Sequence, residues 1–77
     1  MNTSEEKKFA IRSYGKGELA SLYMPGILPK SALATFNEWI NKFPGLPEAL
    51  QQSGLCPSNR RYTPAQVRLI IKALGEP

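Results

Sequence analysis

The segment Arg60-Arg61-Tyr62-Thr63-Pro64-Ala65-Gln66-Val67 decides how this chain folds, because it holds three helix-start signals in succession. Thr63 has a side-chain oxygen able to accept a hydrogen bond from a free first-turn amide. Pro64 brings a fixed φ and lacks an N–H that the first turn could not use, and Gln66 completes a T-x-x-Q capping box. Gly75 stands just past the other end. Between these limits Val67, Ile70, Ile71 and Leu74 recur at spacings of three and four, which is the buried stripe of a helix.

Moving back along the chain, Leu55-Cys56, the turn cluster Pro57-Ser58-Asn59 and Arg60-Arg61-Tyr62 read as a small hairpin or wing. Before it, Pro47 to Ser53 is bracketed as a short helix by a first-turn proline and by Gly54, with Leu46 and Leu50 as anchors. The strongest helical periodicity lies further back. There Ser31 caps a helix in which Leu33, Phe36, Ile40 and Phe43 share a face, with Trp39 at its flank. Glu18 to Tyr23, capped by Gly17 and packed through Leu19, Leu22 and Tyr23, is predicted as the first helix. Phe9-Ala10-Ile11-Arg12 alternates as a short half-buried strand does. Residues 1–8 are polar, charged and aperiodic, a disordered leader before a single domain at 9–77.

At 77 residues the chain can bury one core, and its 42% hydrophobic content is that of a folded domain rather than a disordered one. A core this small supplies roughly 3–5 kcal/mol net, which keeps dimerisation open. Ten lysines and arginines face six acids, for a formal charge of +4, and this balance suits phosphate-rich or acidic partners. With Glu5 and Glu6 in the leader, the folded part is expected to be the more basic. One cysteine, no signal peptide and no long apolar run point to the cytoplasm.

The residue inventory argues against catalysis. The chain has no histidine, and so lacks the commonest general base, while Cys56 has no histidine to activate it and reads as a buried small apolar residue. One cysteine and scattered glutamates, without an aspartate, make no metal cage, and no cofactor is expected. Gly15-Lys16-Gly17 is too short for a phosphate loop and serves a turn.

Three segments together carry a resemblance. Glu18-Leu19-Ala20, then Leu33 to Ile40 with Trp39, then Arg60 to Val67 resemble the winged helix-turn-helix of MerR-type and excisionase-type DNA-binding proteins. More closely, Phe9 to Pro77, with Ile11-Arg12-Ser13-Tyr14-Gly15-Lys16 and the Leu74-Gly75-Glu76-Pro77 ending, resemble a small bacterial family of domains of unknown function. The resemblance implies a mainly α fold with a small β component: three to four helices, a short strand and a wing. The Pro47–Ser53 helix is an insertion in that pattern, and the connection between the first two helices is longer than usual.

On this reading the wing presents Arg60 and Arg61 to the DNA backbone, with Lys16, Arg68 and Lys72 as further phosphate contacts. The second helix contributes Lys30, Ser31, Thr35, Asn41 and Lys42, but its outer face has no arginine and carries Glu38, so sequence preference should be modest. A DNA-associated accessory or regulatory domain is one function. The other is a protein-interaction or homodimerisation module, in which Leu69 and Ala73 join Met24, Ile27 and Leu28 in an apolar patch.

Overall fold

The computed structural model describes residues 9–77, and the expected leader at 1–8 lies outside the described residues. In chain order the elements are strand β1 (Tyr14–Gly15), helix α1 (Lys16–Tyr23), helix α2 (Pro29–Lys42), helix α3 (Leu46–Gln52), strand β2 (Arg61–Tyr62) and helix α4 (Pro64–Leu74). The strands pair antiparallel, with Tyr14 opposite Tyr62 and Gly15 opposite Arg61. The class is α+β, as predicted, with four helices and one two-stranded ladder among the described residues.

The helix ends follow from local chemistry. α4 begins and ends where its sequence says: the Gln66 N–H donates to Thr63 Oγ1 at 3.2 Å, the Thr63 N–H donates to Gln66 Oε1 at 2.9 Å, and the Gly75 N–H closes on the Ile71 carbonyl. Gly75 has φ +89, a conformation that L side chains rarely adopt. α1 starts at Lys16, earlier than Gly17 as cap would place it, because the Glu18 carboxylate reaches back to the Gly15 N–H at 3.1 Å. Gly15 has no side chain to return the bond. α2 starts at Pro29 rather than after Ser31, since proline fits a first helical position and the Ala32 N–H already bonds the Leu28 carbonyl. α3 spans Leu46–Gln52, one residue ahead of its predicted range.

Two expectations about β structure are corrected. No wing hairpin forms at 55–62, because the Leu55 N–H is taken by the Leu50 carbonyl at the end of α3, and the Asn59 N–H closes a tight turn on Cys56. Pro57 has no N–H to offer a ladder. The free edge of Arg61-Tyr62 pairs instead with a segment nearly fifty residues earlier. The strand predicted at Phe9–Arg12 is also displaced, to Tyr14–Gly15. The Tyr14 hydroxyl donates to the Ala10 carbonyl, curling the preceding residues round the ring, on which Phe9 stacks at 5.2 Å.

One core joins all the elements. Leu19, Phe36, Leu50, Tyr62, Val67 and Ile70 are fully or almost fully buried, and the small side chains of Ala20 and Ala32 are buried where α1 and α2 pack against each other. Leu22 and Phe43, predicted on inward faces, are exposed at the edges of theirs. Trp39 lies at the flank of α2, edge-on to Phe36 and to Tyr23.

Candidate functional site

The ladder gathers charge. Lys16 follows β1 directly and its N–H bonds the Arg60 carbonyl at 2.9 Å, while Arg61 lies across from Gly15 and Arg12 leads into the strand. Four of the eight cations of residues 9–77 therefore surround two short strands, with Glu18 as the adjacent carboxylate. Lys7 and Lys8 offset Glu5 and Glu6, so the domain carries the same excess charge as the whole chain rather than a larger one.

These four cations are not equivalent. Arg61 donates from Nε to Ser13 Oγ at 3.1 Å and from a terminal nitrogen to the Ser13 carbonyl at 3.3 Å, clamping the segment before β1. Arg12 bonds Glu18 at 3.3 Å and lies 3.8 Å from the centroid of the Tyr14 ring. Glu18 is held below the usual carboxylate range by the Gly15 N–H, then by Arg12. Arg60 is exposed, with its backbone carbonyl in the ladder, and Lys16 reaches the Cys56 carbonyl at 3.4 Å. Arg60 and Lys16 are thus the better placed to meet an outside anion. Arg12 was missed in the sequence, where it reads as part of a strand, and Arg61 is first of all a structural clamp.

Beside the ladder opens a cleft of about 350 Å³, walled by Lys16, by α2 and α3, and by the loop at Leu55-Cys56-Pro57. Asn37, Asn41 and Gln51 place three exposed amides on it, and Ile40, Leu50 and Leu55 give it apolar walls. Tyr62, 1% exposed, also lines it, and no hydrogen bond engages its hydroxyl among the described residues. Among the described residues, no carboxylate borders the cleft. Of these residues the sequence reading singled out Lys16 and Asn41 as candidate contacts. Asn37 and Asn41 carried a usable signal, since four residues apart on a helix they share a face.

Burial pushes the Tyr62 phenol up to about 12, and burial followed by the charge of Glu76 does the same to Tyr23, whose hydroxyl bonds the Gly75 carbonyl. A raised pKa means that the folded state keeps protons that the unfolded chain loses near pH 10. The associated stability is complete below pH 10 and is lost as pH rises toward 12. Urea unfolding midpoints should fall across that window, and Tyr62→Phe should flatten the fall without abolishing it. An unchanged slope in the variant would contradict this account.

The remaining predicted residues do not converge on the ladder. Ser31, Thr35 and Lys42 share the outer face of α2 at helical spacing, with Glu38 between the latter two, and Lys30 is exposed near that helix's start. Arg68 is exposed on α4. Lys72 instead borders a shallow groove with Leu69 and Ala73, where Phe43, Leu46 and Ala49 face them. Of the predicted apolar patch, Met24 is corrected to a core residue, and the groove holding Leu69 and Ala73 does not include Ile27 or Leu28. Those two are exposed on the turn between α1 and α2.

Among the described residues, no group of three or more His, Cys, Asp or Glu is placed to hold a metal ion, and no helix is long and apolar enough to cross a membrane. The class is a small α+β domain with a cationic two-stranded ladder beside an amide-lined cleft. Within that class, the chain belongs to the family described as domain of unknown function (DUF4248), which matches residues 10–77. The predicted membership of a family of unknown function is thereby borne out. No curated protein and no solved structure matches the chain.

Proposed function

We propose that this domain is a cytoplasmic, DNA-associated accessory or regulatory module that contacts the phosphate backbone through its ladder, with Arg60 and Lys16 as principal contacts and Arg12 beside them. The gathering of four cations around one short ladder, with Glu18 as the adjacent carboxylate among the described residues, carries the reading. Phosphate contacts by exposed cations position a protein on nucleic acid and release counterions. Glu38 on the outer face of α2 argues against docking that helix in a groove. Cys56, expected from the sequence to be buried, is instead free and exposed, which suits a reducing compartment.

The test is a titration of labelled duplex DNA at several salt concentrations, comparing the wild type with a Lys16→Ala, Arg60→Ala double variant. Affinity should fall as salt rises, and the double variant should show a log–log slope shallower by about 2, roughly one unit per lost phosphate contact. Absence of binding at low salt overturns the proposal.

A second reading, self-association, is favoured by Leu28, which is 74% exposed beside a half-exposed Ile27. Light scattering on the same samples tests it. A molar mass that stays monomeric as concentration rises overturns that reading.

A further inference from the structure

The cleft beside the ladder is concave, and its chemistry differs from that of the ladder. Its polar side chains are Lys16, whose ammonium also reaches the Cys56 carbonyl, the amides of Asn37, Asn41 and Gln51, and Tyr62, while Ile40, Leu50 and Leu55 give it apolar walls. Amide side chains both donate and accept, the combination needed to meet the edge of a nucleobase. About 350 Å³ lies at the lower end of the range for ligand pockets, enough for a single ring system and its sugar rather than a stacked pair.

A base paired within a duplex cannot enter a concavity, because its edges lie inside grooves that only a convex element reaches. An unpaired base can be turned outward and accepted. Lys16 belongs to both features: it lines the cleft, and its backbone bonds Arg60 in the ladder. A phosphate bound by Lys16, which lines the cleft, would bring its own nucleoside within reach of the cleft.

We infer that the cleft receives one unpaired nucleobase, with Asn37, Asn41 and Gln51 on its edge and the apolar walls on its faces, so that the domain prefers single-stranded nucleic acid to duplex. This rests on the backbone-binding reading above and adds to it a site for the base. Tyr62 also lines the cleft, and among the described residues no hydrogen bond engages its hydroxyl. Cys56 at the rim is exposed and is the chain's one cysteine, which makes it a natural reporter of occupancy.

The experiment compares a fluorescein-labelled mixed-sequence single strand with a hairpin duplex of the same composition, by anisotropy at low and moderate salt. The proteins are the wild type and an Asn41→Ala, Gln51→Ala double variant. Both substituted residues are exposed, and circular dichroism checks that the fold is kept. The single strand should bind the wild type roughly tenfold tighter than the duplex, as one well-held base allows. The variant should lose most of that advantage with its duplex affinity unchanged, and saturating single strand should slow alkylation of Cys56 in the wild type.

Equal affinity for both probes, with normal salt dependence, overturns the inference and leaves backbone binding intact. A preference that survives in the variant, or alkylation indifferent to the single strand, overturns the cleft as its source. Failure of both probes to bind at low salt overturns the inference together with the reading beneath it.

Discussion

Phe36→Ala should leave this domain largely unfolded at room temperature. Phe36 is fully buried at the middle of α2, and three aromatic rings pack round it: Tyr23 at 5.1 Å between centroids, Trp39 at 6.3 Å and Tyr62 at 6.4 Å. It therefore ties α2 both to α1 and to the ladder. Truncating a buried phenylalanine costs about 3–5 kcal/mol through lost transfer energy and the cavity left behind. Edge-on and tilted ring pairs add roughly 0.5–1.5 kcal/mol each beyond area. A core of this size supplies only about 3–5 kcal/mol net. The loss is as large as the whole margin.

Urea unfolding followed by far-ultraviolet circular dichroism measures this directly. Trp39 fluorescence gives a second probe, since the ring lies edge-on to the substituted site. Phe36→Leu keeps much of the apolar volume but loses the ring pairings, so it should be clearly less stable than the wild type and yet more stable than Phe36→Ala. If Phe36→Ala unfolds within about 1 kcal/mol of the wild type, the aromatic cluster does not organise the core as described. The DNA titration connects here, because Tyr62 on the floor of the cleft is one of the rings that Phe36 supports.

What was readable in the sequence was what is local. α4 could be bounded to the residue because Thr63, Pro64, Gln66 and Gly75 act within a few positions of the helix ends. The inward faces of α2 and α3 were readable where side chains are large, at Phe36, Ile40, Leu46 and Leu50, and not at Ala20 or Ala32, whose weak hydropathy hides how closely the helices approach. The pairing of Tyr14 with Tyr62 left no local trace, since the hydrogen bonds of a two-residue strand name no partner. Arg61 looked like a free basic residue because its Ser13 partner is distant in sequence. The cleft was the least readable feature: Lys16, Asn41, Gln51 and Tyr62 come from four elements and meet only after the ladder closes.

Gln66 is where local and tertiary signals coincide, and Gln66→Leu should cost about 2–3 kcal/mol, more than Thr63→Ala. As a capping-box residue Gln66 would ordinarily lie at the surface, yet it is 1% exposed. Its oxygen accepts from the Thr63 N–H, and its nitrogen donates to the Ser53 carbonyl at 3.3 Å, joining the end of α3 to the start of α4. Leucine of similar size fills the space but leaves the Thr63 N–H and the Ser53 carbonyl without partners. Each orphaned group costs roughly 1–3 kcal/mol when buried, toward the lower figure here because Thr63 and Ser53 themselves reach solvent. Thr63→Ala removes one acceptor from the first turn, for about 1 kcal/mol. In thermal unfolding the difference reads as a fall of roughly 8–24 °C against 4–8 °C for a domain this small. The two substitutions disable halves of one box, so the double variant should fall short of their sum by about 0.5 kcal/mol or more. Strict additivity, or a Gln66→Leu variant as stable as the wild type, would mean that α3 and α4 are held together by Leu50 and their other apolar contacts alone.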